Sequence, residues 1–410
     1  MKKTDLAPSL QKTAEKVGEP GLENLWFVIP PPPPRKFPSG MPAQAISRAL
    51  RLIEQLPSAH SLNELDRLTS YLFVRQEAVL SSRMEGTWST MDHVLTPGEI
   101  YDRKEGKSER SSVLSYASAL EKEFQPVFEK GISRFSVQLI CRLHKEVLKN
   151  NPDYRKIPGR IRKSFVFIGG AQRLENSIFN PPPPKHVSRC LKEVLTWMRD
   201  PLLTEMGNAG MGMPLPVRMA IGHAHFEAVH PFPDGNGRVG RMLMTLQMAS
   251  HGILPLYLSG YIEAEKNEYY LALQKAQKKL EYGPIVELIC EALIASNEET
   301  KKTKQAIATL PGTWASRGAF RAGSAAHSLL TKLIIHPIFN ISHVQDFLKI
   351  TRPAANHAVA QLLDAKIVRE RTGYERNRIF AAEEVIELLS KGFSEPPSQA
   401  LKNAQALLNG

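Results

Sequence analysis

The spacing of apolar and polar positions is helical over most of the chain. Leu65, Leu68, Leu72, Val79 and Leu80 recur at helical intervals and predict an amphipathic helix. Ser61-Leu-Asn-Glu64 ahead of it reads as a capping box, and Gly86 beyond it as a terminator. Val217, Ala220, Ile221, Ala224 and Ala228 line one face of another helix. That helix must end at His230, because the residue before a proline is pushed out of helical geometry. VGRMLMTLQMASHG then resumes the helical pattern, and Leu271, Leu273, Ile285, Leu288 and Leu293 belong to further helices. Two stretches depart from it. SFVFIGG, Ser164 to Gly170, is a β-rich run closed by a glycine pair and predicts a hairpin. Pro30 to Pro34 form an extended polyproline segment, expected to lie as a stiff arm along its own domain.

Near the C-terminus the pattern reads helix, short strand, helix, turn, helix and two strands. Ser342 is expected to cap a helix carrying Val344, Phe347 and Leu348. Thr351-Arg-Pro353 opens the next, with Ala355, Val359 and Leu362 facing inwards. Ile367 to Arg369 and Arg378 to Phe380 would be strands around the tip GYERN. The order is that of a winged helix-turn-helix, with Arg352, Asn356 and His357 on the recognition face and Arg371, Arg376 and Arg378 at the wing. Two readings stand level for this module: DNA binding, and a protein-interaction or dimerisation role that leaves a homodimer open.

Composition narrows the classes. A chain of 410 residues has room for two or three domains, and 42% hydrophobic with 23% charged residues is ordinary for a globular protein. The formal charge of +12 suits polyanionic partners without identifying one. The three cysteines, Cys141, Cys190 and Cys290, stand far apart, which excludes a disulfide framework and a cysteine metal site and suits a reducing cytosol. The N-terminus has no apolar leader and no window reaches membrane-spanning length, so the expectation is a soluble, cytoplasmic protein without a membrane partner.

One stretch carries chemistry. In HPFPDGNGRVGR, His230 to Arg241, the glycines let the chain turn tightly into a helix N-terminus, where free amides and the helix dipole attract phosphate. Arg238 and Arg241 lie on one side of that helix and can grip successive phosphates. Asp234 can hold a magnesium ion against those phosphates, and Asn236 supplies an amide donor. His230 titrates near neutrality and can accept a proton from an attacking hydroxyl. Phe232 anchors the loop in the core. Together they make a phosphoryl- or nucleotidyl-transfer site.

The string resembles, position by position, the Fic family motif His-x-Phe-x-Asp/Glu-Gly-Asn-Gly-Arg-x-x-Arg. The resemblance implies a mainly α fold: an all-helical core with a small β-hairpin flap. It also implies an enzyme that moves AMP from ATP to a Tyr, Thr or Ser hydroxyl of a target protein or of itself. By that carry-over His230 is the general base and Asp234 the Mg²⁺ ligand. Gly235, Asn236 and Gly237 hold the α-phosphate, and Arg238 and Arg241 the β- and γ-phosphates. PGRIRKSFVFIGG resembles the family's flap, which aligns the target segment by strand addition and brings Ile168, Gly169 and Gly170 beside the nucleotide. Arg160 stands there where an acidic residue is expected. Tyr269 and Gln277 are candidate adenine contacts, while His223 and His225 read as packing histidines.

SSRMEGT, Ser81 to Thr87, resembles the family's inhibitory motif through Ser81, Glu85 and Gly86. A glutamate swung against Arg241 would occupy the arginine needed for the γ-phosphate. The same glutamate could instead position a water that removes AMP. The expected organisation is therefore a proline-rich arm (1–40), a helical region with the inhibitory helix (41–105), a Fic catalytic core (106–296), a linker (297–325), a winged helix-turn-helix (326–393) and a tail (394–410). The alternatives are a DNA-binding regulator using the core as a nucleotide sensor, and a Fic enzyme moving another phosphate-containing group.

Overall fold

Two adjacent helices are buried on every side, and the elements of the first unit are arranged around them. The computed structural model describes residues 1–59, 62–98, 100, 107–151, 154–169, 174–205, 212–373 and 377–409. In chain order the helices among them are α1 (Pro8–Thr13), α2 (Ala43–Gln55), α3 (Glu64–Arg83), α4 (Met91–Leu95), α5 (Lys107–Lys130) and α6 (Val137–Leu148). Then come α7 (Pro184–Met198), α8 (Leu202–Glu205), α9 (Leu215–Val229), α10 (Asn236–Ser250), α11 (Ser259–Ala264) and α12 (Lys266–Lys279). The last are α13 (Gly283–Arg317), α14 (Ala325–Ile335), α15 (Ile341–Leu348), α16 (Arg352–Asp364), α17 (Glu383–Ser390) and α18 (Pro397–Asn409). Three short strands, β1 (Ile338–Phe339), β2 (Arg369–Glu370) and β3 (Phe380–Ala381), form one sheet, so the fold is mainly α. The chain divides into two compact units, Met1–Ser61 with Ser115–Ser296, and Leu62–Leu114 with Asn297–Gly410.

In the first unit α9 is buried from Pro216 to Val229 and packs against α10, α7, α12 and α2. The single inward face expected for α9 is thus corrected: a helix enclosed all round belongs to the core. Its polar side chains find partners there, as burial requires. His223 Nε2 lies 2.7 Å from the Tyr269 hydroxyl, His225 Nε2 2.9 Å from that of Tyr282, and Arg218 donates to the Met198 carbonyl.

The N-terminal arm is built into this unit. It carries α1, and Leu6, Leu10, Ala14 and Val28 form an apolar cluster with Phe179 and Ala228. Phe27 is buried with its ring 5.0 Å from Phe165 and 5.9 Å from Phe167. Trp197 Nε1 donates to the Pro34 carbonyl at 2.8 Å, which fixes the polyproline run against α7. The expected hairpin is short: Ile168 and Phe179 pair in a single antiparallel bridge, with Ile168 N–H donating to Phe179 O at 2.9 Å. Gly169 turns the chain with φ 71°, and a side chain there would meet Ile178 at 2.5 Å.

In the second unit β3 pairs antiparallel with both β1 and β2, giving the sheet order β1-β3-β2. α14, α15 and α16 pack together beside it in winged helix-turn-helix order. α3 packs against α14 and α17, and α4 against α17, so α3, the helix expected to be inhibitory, belongs to the same unit as the winged helix. Several local readings are corrected here. Ser61 lies outside the described residues; α3 is capped by Asn63, whose side chain accepts from Asp66 N–H while Asp66 accepts from Asn63 N–H. Asn340, not Ser342, caps α15 through the same reciprocal arrangement with His343. The segment 297–325, expected as a linker, is helical to Arg317 and passes through Pro311. Burial of Ile307, Leu310 and Trp314 outweighs the lost backbone bond. The tail expected after residue 393 carries α18, packed on α17.

Candidate active site

The site begins where α9 stops. His230 caps α9 in left-handed geometry (φ 48°, ψ 65°), and its N–H donates to the Phe226 carbonyl at 3.0 Å. Few non-glycine residues adopt this geometry, and the neighbours here hold it in place. The side chain remains partly accessible, with Nδ1 3.7 Å from Glu227 Oε2 one turn back. Pro231 and Phe232 are buried, Phe232 completely, as the pattern predicts.

Gly235 then takes φ 79° and becomes the N-cap of α10. It supplies no side chain, so no N-cap side chain stands over the first turn of α10, the end of a helix that attracts anions. Asp234 projects from the loop half exposed; its Oδ1 accepts the Gly235 N–H at 2.6 Å and its Oδ2 lies 3.4 Å from Arg238 Nη2. Arg238 and Arg241 are both buried on α10. The arrangement joins an imidazole, an open helix N-terminus and two guanidinium groups within one loop-helix unit.

Asn236 departs from its expected role. Phe232 N–H donates to its Oδ1 at 2.9 Å and its Nδ2 donates to the Phe232 carbonyl at 2.8 Å, so this buried amide clasps the loop rather than a phosphate. What it offers an anion is its backbone N–H. Tyr269 is likewise buried, its hydroxyl on His223, a position in the core rather than on a nucleotide wall. Gln277 lines a small crevice with Pro30, Pro31, His225 and Tyr282. Ile168 and Gly169 stand in the flap, and Gly170 lies outside the described residues. Arg160 is exposed on the flap stem.

Three residues escaped the sequence reading. Arg162, in the stem of the flap segment, is buried and donates to four carbonyls, those of His230, Ser164, Pro182 and Val229. Burial pushes its pKa down to about 10. His144 on α6 stacks on Phe232 at 3.7 Å and accepts the Gly159 N–H at Nδ1, which leaves Nε2 to donate to the Asp234 carbonyl at 3.0 Å. Glu227 is the third, and its signal was present: it stands three residues before His230 on the same helix. Nothing in one sequence marks Arg162 or His144, because their partners are backbone atoms distant along the chain.

A magnesium ion fits only with help. Asp234 is a single half-exposed carboxylate, and among the described residues no cluster of three His, Cys, Asp or Glu side chains could hold a metal by itself. Phosphate oxygens would have to complete the shell, which is the usual habit of Mg²⁺.

The other expected residues lie in the second unit. Ser81 is buried on α3; Glu85 and Gly86 form the turn after it, where Gly86 takes φ 85° and Glu85 N–H donates to the Ser82 carbonyl at 3.0 Å. On α16 Arg352, Asn356 and His357 are exposed. The wing is different. Arg371 is engaged by Glu383 at 2.6 Å and by Asp92, Arg378 by Glu370 at 2.8 Å, and Arg376 lies outside the described residues. A guanidinium held by two carboxylates is not presented to a phosphate, which corrects the expectation for Arg371.

Among the described residues no helix is long and apolar enough to cross a membrane. The Fic/DOC family model matches residues 134–248, and the Fic/DOC family N-terminal model matches residues 43–125. A probable protein adenylyltransferase of Aquifex aeolicus (strain VF5) is 30% identical over 141 residues, 32% of this chain and 39% of that protein. Protein adenylyltransferase fic-1 of Caenorhabditis elegans is 28% identical over 221 residues, 54% of this chain and 39% of that protein. The match thus spans about two fifths of each relative. The fold is similar to the crystal structure of a Fic family protein from Desulfovibrio desulfuricans G20, with a TM-score of 0.52 at 18% identity over 86% of this chain and 98% of that one. The 134–248 match takes in the whole loop from His230 and α10 as far as Met248, so the geometry just described lies inside the matched region, and the chain belongs to the Fic family.

Proposed function

We propose that this protein is an autoinhibited adenylyltransferase that transfers AMP from ATP to a hydroxyl of a target protein or of itself. One observation carries the reading: an imidazole held at the end of α9 stands beside a loop that leads through Gly235, which has no capping side chain, into the N-terminus of α10, where Arg238 and Arg241 are buried. The relatives named adenylyltransferases support it. His230 takes the proton of the attacking hydroxyl. The hydroxyl oxygen bonds to the α-phosphorus as the bond to pyrophosphate breaks, and pyrophosphate leaves. Glu227 Oε2, 3.7 Å from Nδ1, favours a proton on Nδ1, which makes Nε2 the basic nitrogen. The first-turn amides and the two arginines hold the phosphates. Asp234 would hold Mg²⁺ against those phosphates, where it neutralises charge on the triphosphate.

Glu85 is the brake in this proposal, and releasing it should release transfer. Glu85→Gly incubated with radiolabelled ATP and Mg²⁺ should label itself or a target, and Glu85→Gly with His230→Ala should not. Equal labelling by the two overturns the reading. The intact mass of the product separates AMP from phosphate, UMP or phosphocholine. Three cysteines far apart along the chain support a reducing compartment, and the proposed location is the cytoplasm. The exposure of Arg352, Asn356 and His357 on α16 favours a second role, binding of double-stranded DNA by the winged helix.

A further inference from the structure

Arg162 reaches the reacting residue from outside the motif. Its Nε donates to the His230 carbonyl at 2.7 Å, and its Nη2 to Pro182 O at 2.7 Å and Val229 O at 3.3 Å. Its Nη1 donates to Ser164 O at 3.0 Å, and its own backbone N–H donates to Pro231 O at 2.9 Å. Three of these five bonds fall on residues 229, 230 and 231, bracketing the imidazole. The side chain is 3% exposed, and among the described residues it has no carboxylate within ion-pair distance. Among the described residues its charge is met by carbonyl dipoles.

The placement follows from helix physics. The last carbonyls of a helix have no partner within it, and the backbone dipoles make that end negative. Val229 and His230 close α9 in a buried setting, where each orphan carbonyl would cost about 1–3 kcal/mol. A rigid planar fork with five donors answers several at once, which a lysine's point charge does not. The fork also spans two other elements. Ser164 opens the β-rich run of the flap, and Pro182 lies in the proline run before α7.

We infer that Arg162 is a positioning residue for the transfer reaction: it fixes the left-handed backbone of His230 and ties it to the stem of the flap. The inference rests on the function proposed above. Its consequence is a fixed register between the imidazole and any target strand lying along the flap, so loss of Arg162 displaces the base without removing a group that touches ATP.

The test uses the full chain carrying Glu85→Gly, with Arg162→Met and Arg162→Lys added singly. A misplacement of about 1 Å costs roughly 100-fold in rate. Arg162→Met should therefore lower kcat by roughly that factor, with the Kd for ATP within about threefold of the parent. Arg162→Lys should recover part of the loss. In parallel, the imidazole resonances of His230, assigned with His230→Ala, should shift in Arg162→Met and return towards the parent in Arg162→Lys. An unchanged kcat with unmoved resonances overturns the proposal. So does a loss of ATP affinity and of thermal stability in step with kcat, since that marks a structural role only. If the Glu85→Gly parent transfers nothing, the transfer reading has failed, and the His230 resonances alone decide the place of Arg162.

Discussion

Gly240 faces Glu227 across the contact between α9 and α10: a Cβ added at Gly240 would stand 2.6 Å from Glu227 Oε1 and 3.0 Å from the His223 ring. The two central helices approach so closely only because position 240 has no side chain. The carboxylate fitted into that gap is the one beside His230 Nδ1. Gly240→Ala should therefore cost about 1–3 kcal/mol by overpacking. It should also move Glu227 and lower transfer in the Glu85→Gly background. Urea midpoints check the first effect and initial rates of AMP transfer the second. A variant as stable as its parent would show that the helices separate at little cost.

Glu227 can be tested apart from packing. Glu227→Gln keeps the shape and removes the charge that would accompany a protonated His230. With the carboxylate 3.7 Å from Nδ1, the expected result is a fall in kcat of roughly 10- to 100-fold with ATP affinity unchanged. Single-turnover transfer rates and nucleotide titrations on the same preparations decide it. Equal loss in both quantities would place Glu227 in nucleotide binding instead.

The loop itself was readable from sequence because its signals are local: a histidine before a proline, glycines around Asn236 and arginines one turn apart on the following helix. What holds the loop was not readable. Arg162 and His144 act on carbonyls of residues 68 and 90 positions away, and a backbone acceptor leaves no trace in side-chain spacing. Asn236 was read as a phosphate donor because an amide next to an anion site looks like one until its oxygen and its nitrogen are both seen to hold the Phe232 backbone. The all-round burial of α9 escaped because its polar residues, His223, His225 and Glu227, break the apolar pattern while finding partners inside. At the C-terminal end the helix-strand order followed from alternation and caps, but each cap was placed two residues off. Asn63 and Asn340 take the extended backbone of an N-cap, and their side chains accept the N–H of Asp66 and His343.

The buried histidines should make stability depend on pH. Burial lowers the pKa of His223 to about 3 and of His225 to about 4, from 6.5. The neutral form is favoured in the folded state, so the unfolded chain binds more protons below pH 6.5. The stabilisation is complete above that value and is lost as pH falls towards 4. Each histidine contributes roughly 1 kcal/mol per pH unit across that range. Urea midpoints measured from pH 7 to pH 4 should decline, and His225→Gln should flatten the decline by one proton's share. A slope identical to the parent's would mean that His225 is protonated in the fold.

The arginines of the winged helix predict opposite outcomes. Arg352 is exposed at the start of α16, where a recognition helix meets DNA. Arg371 is turned inwards onto Glu383, a carboxylate with 1% side-chain exposure, and onto Asp92 on α4. Removing a cation from a buried pair leaves an uncompensated charge, although Arg369 also reaches Glu383 at 2.9 Å and limits the loss. Arg371→Ala should thus lower the thermal stability of the chain and leave the salt dependence of DNA binding as it was. Arg352→Ala should do the reverse: unchanged stability, weaker binding to a duplex from the protein's own promoter, and a log Kd against log salt slope shallower by about 1. Anisotropy titrations between about 50 and 200 mM salt measure this directly. If the parent's affinity shows no steep fall with salt, the exposed face of α16 serves a protein partner, because phosphate contacts always release counterions.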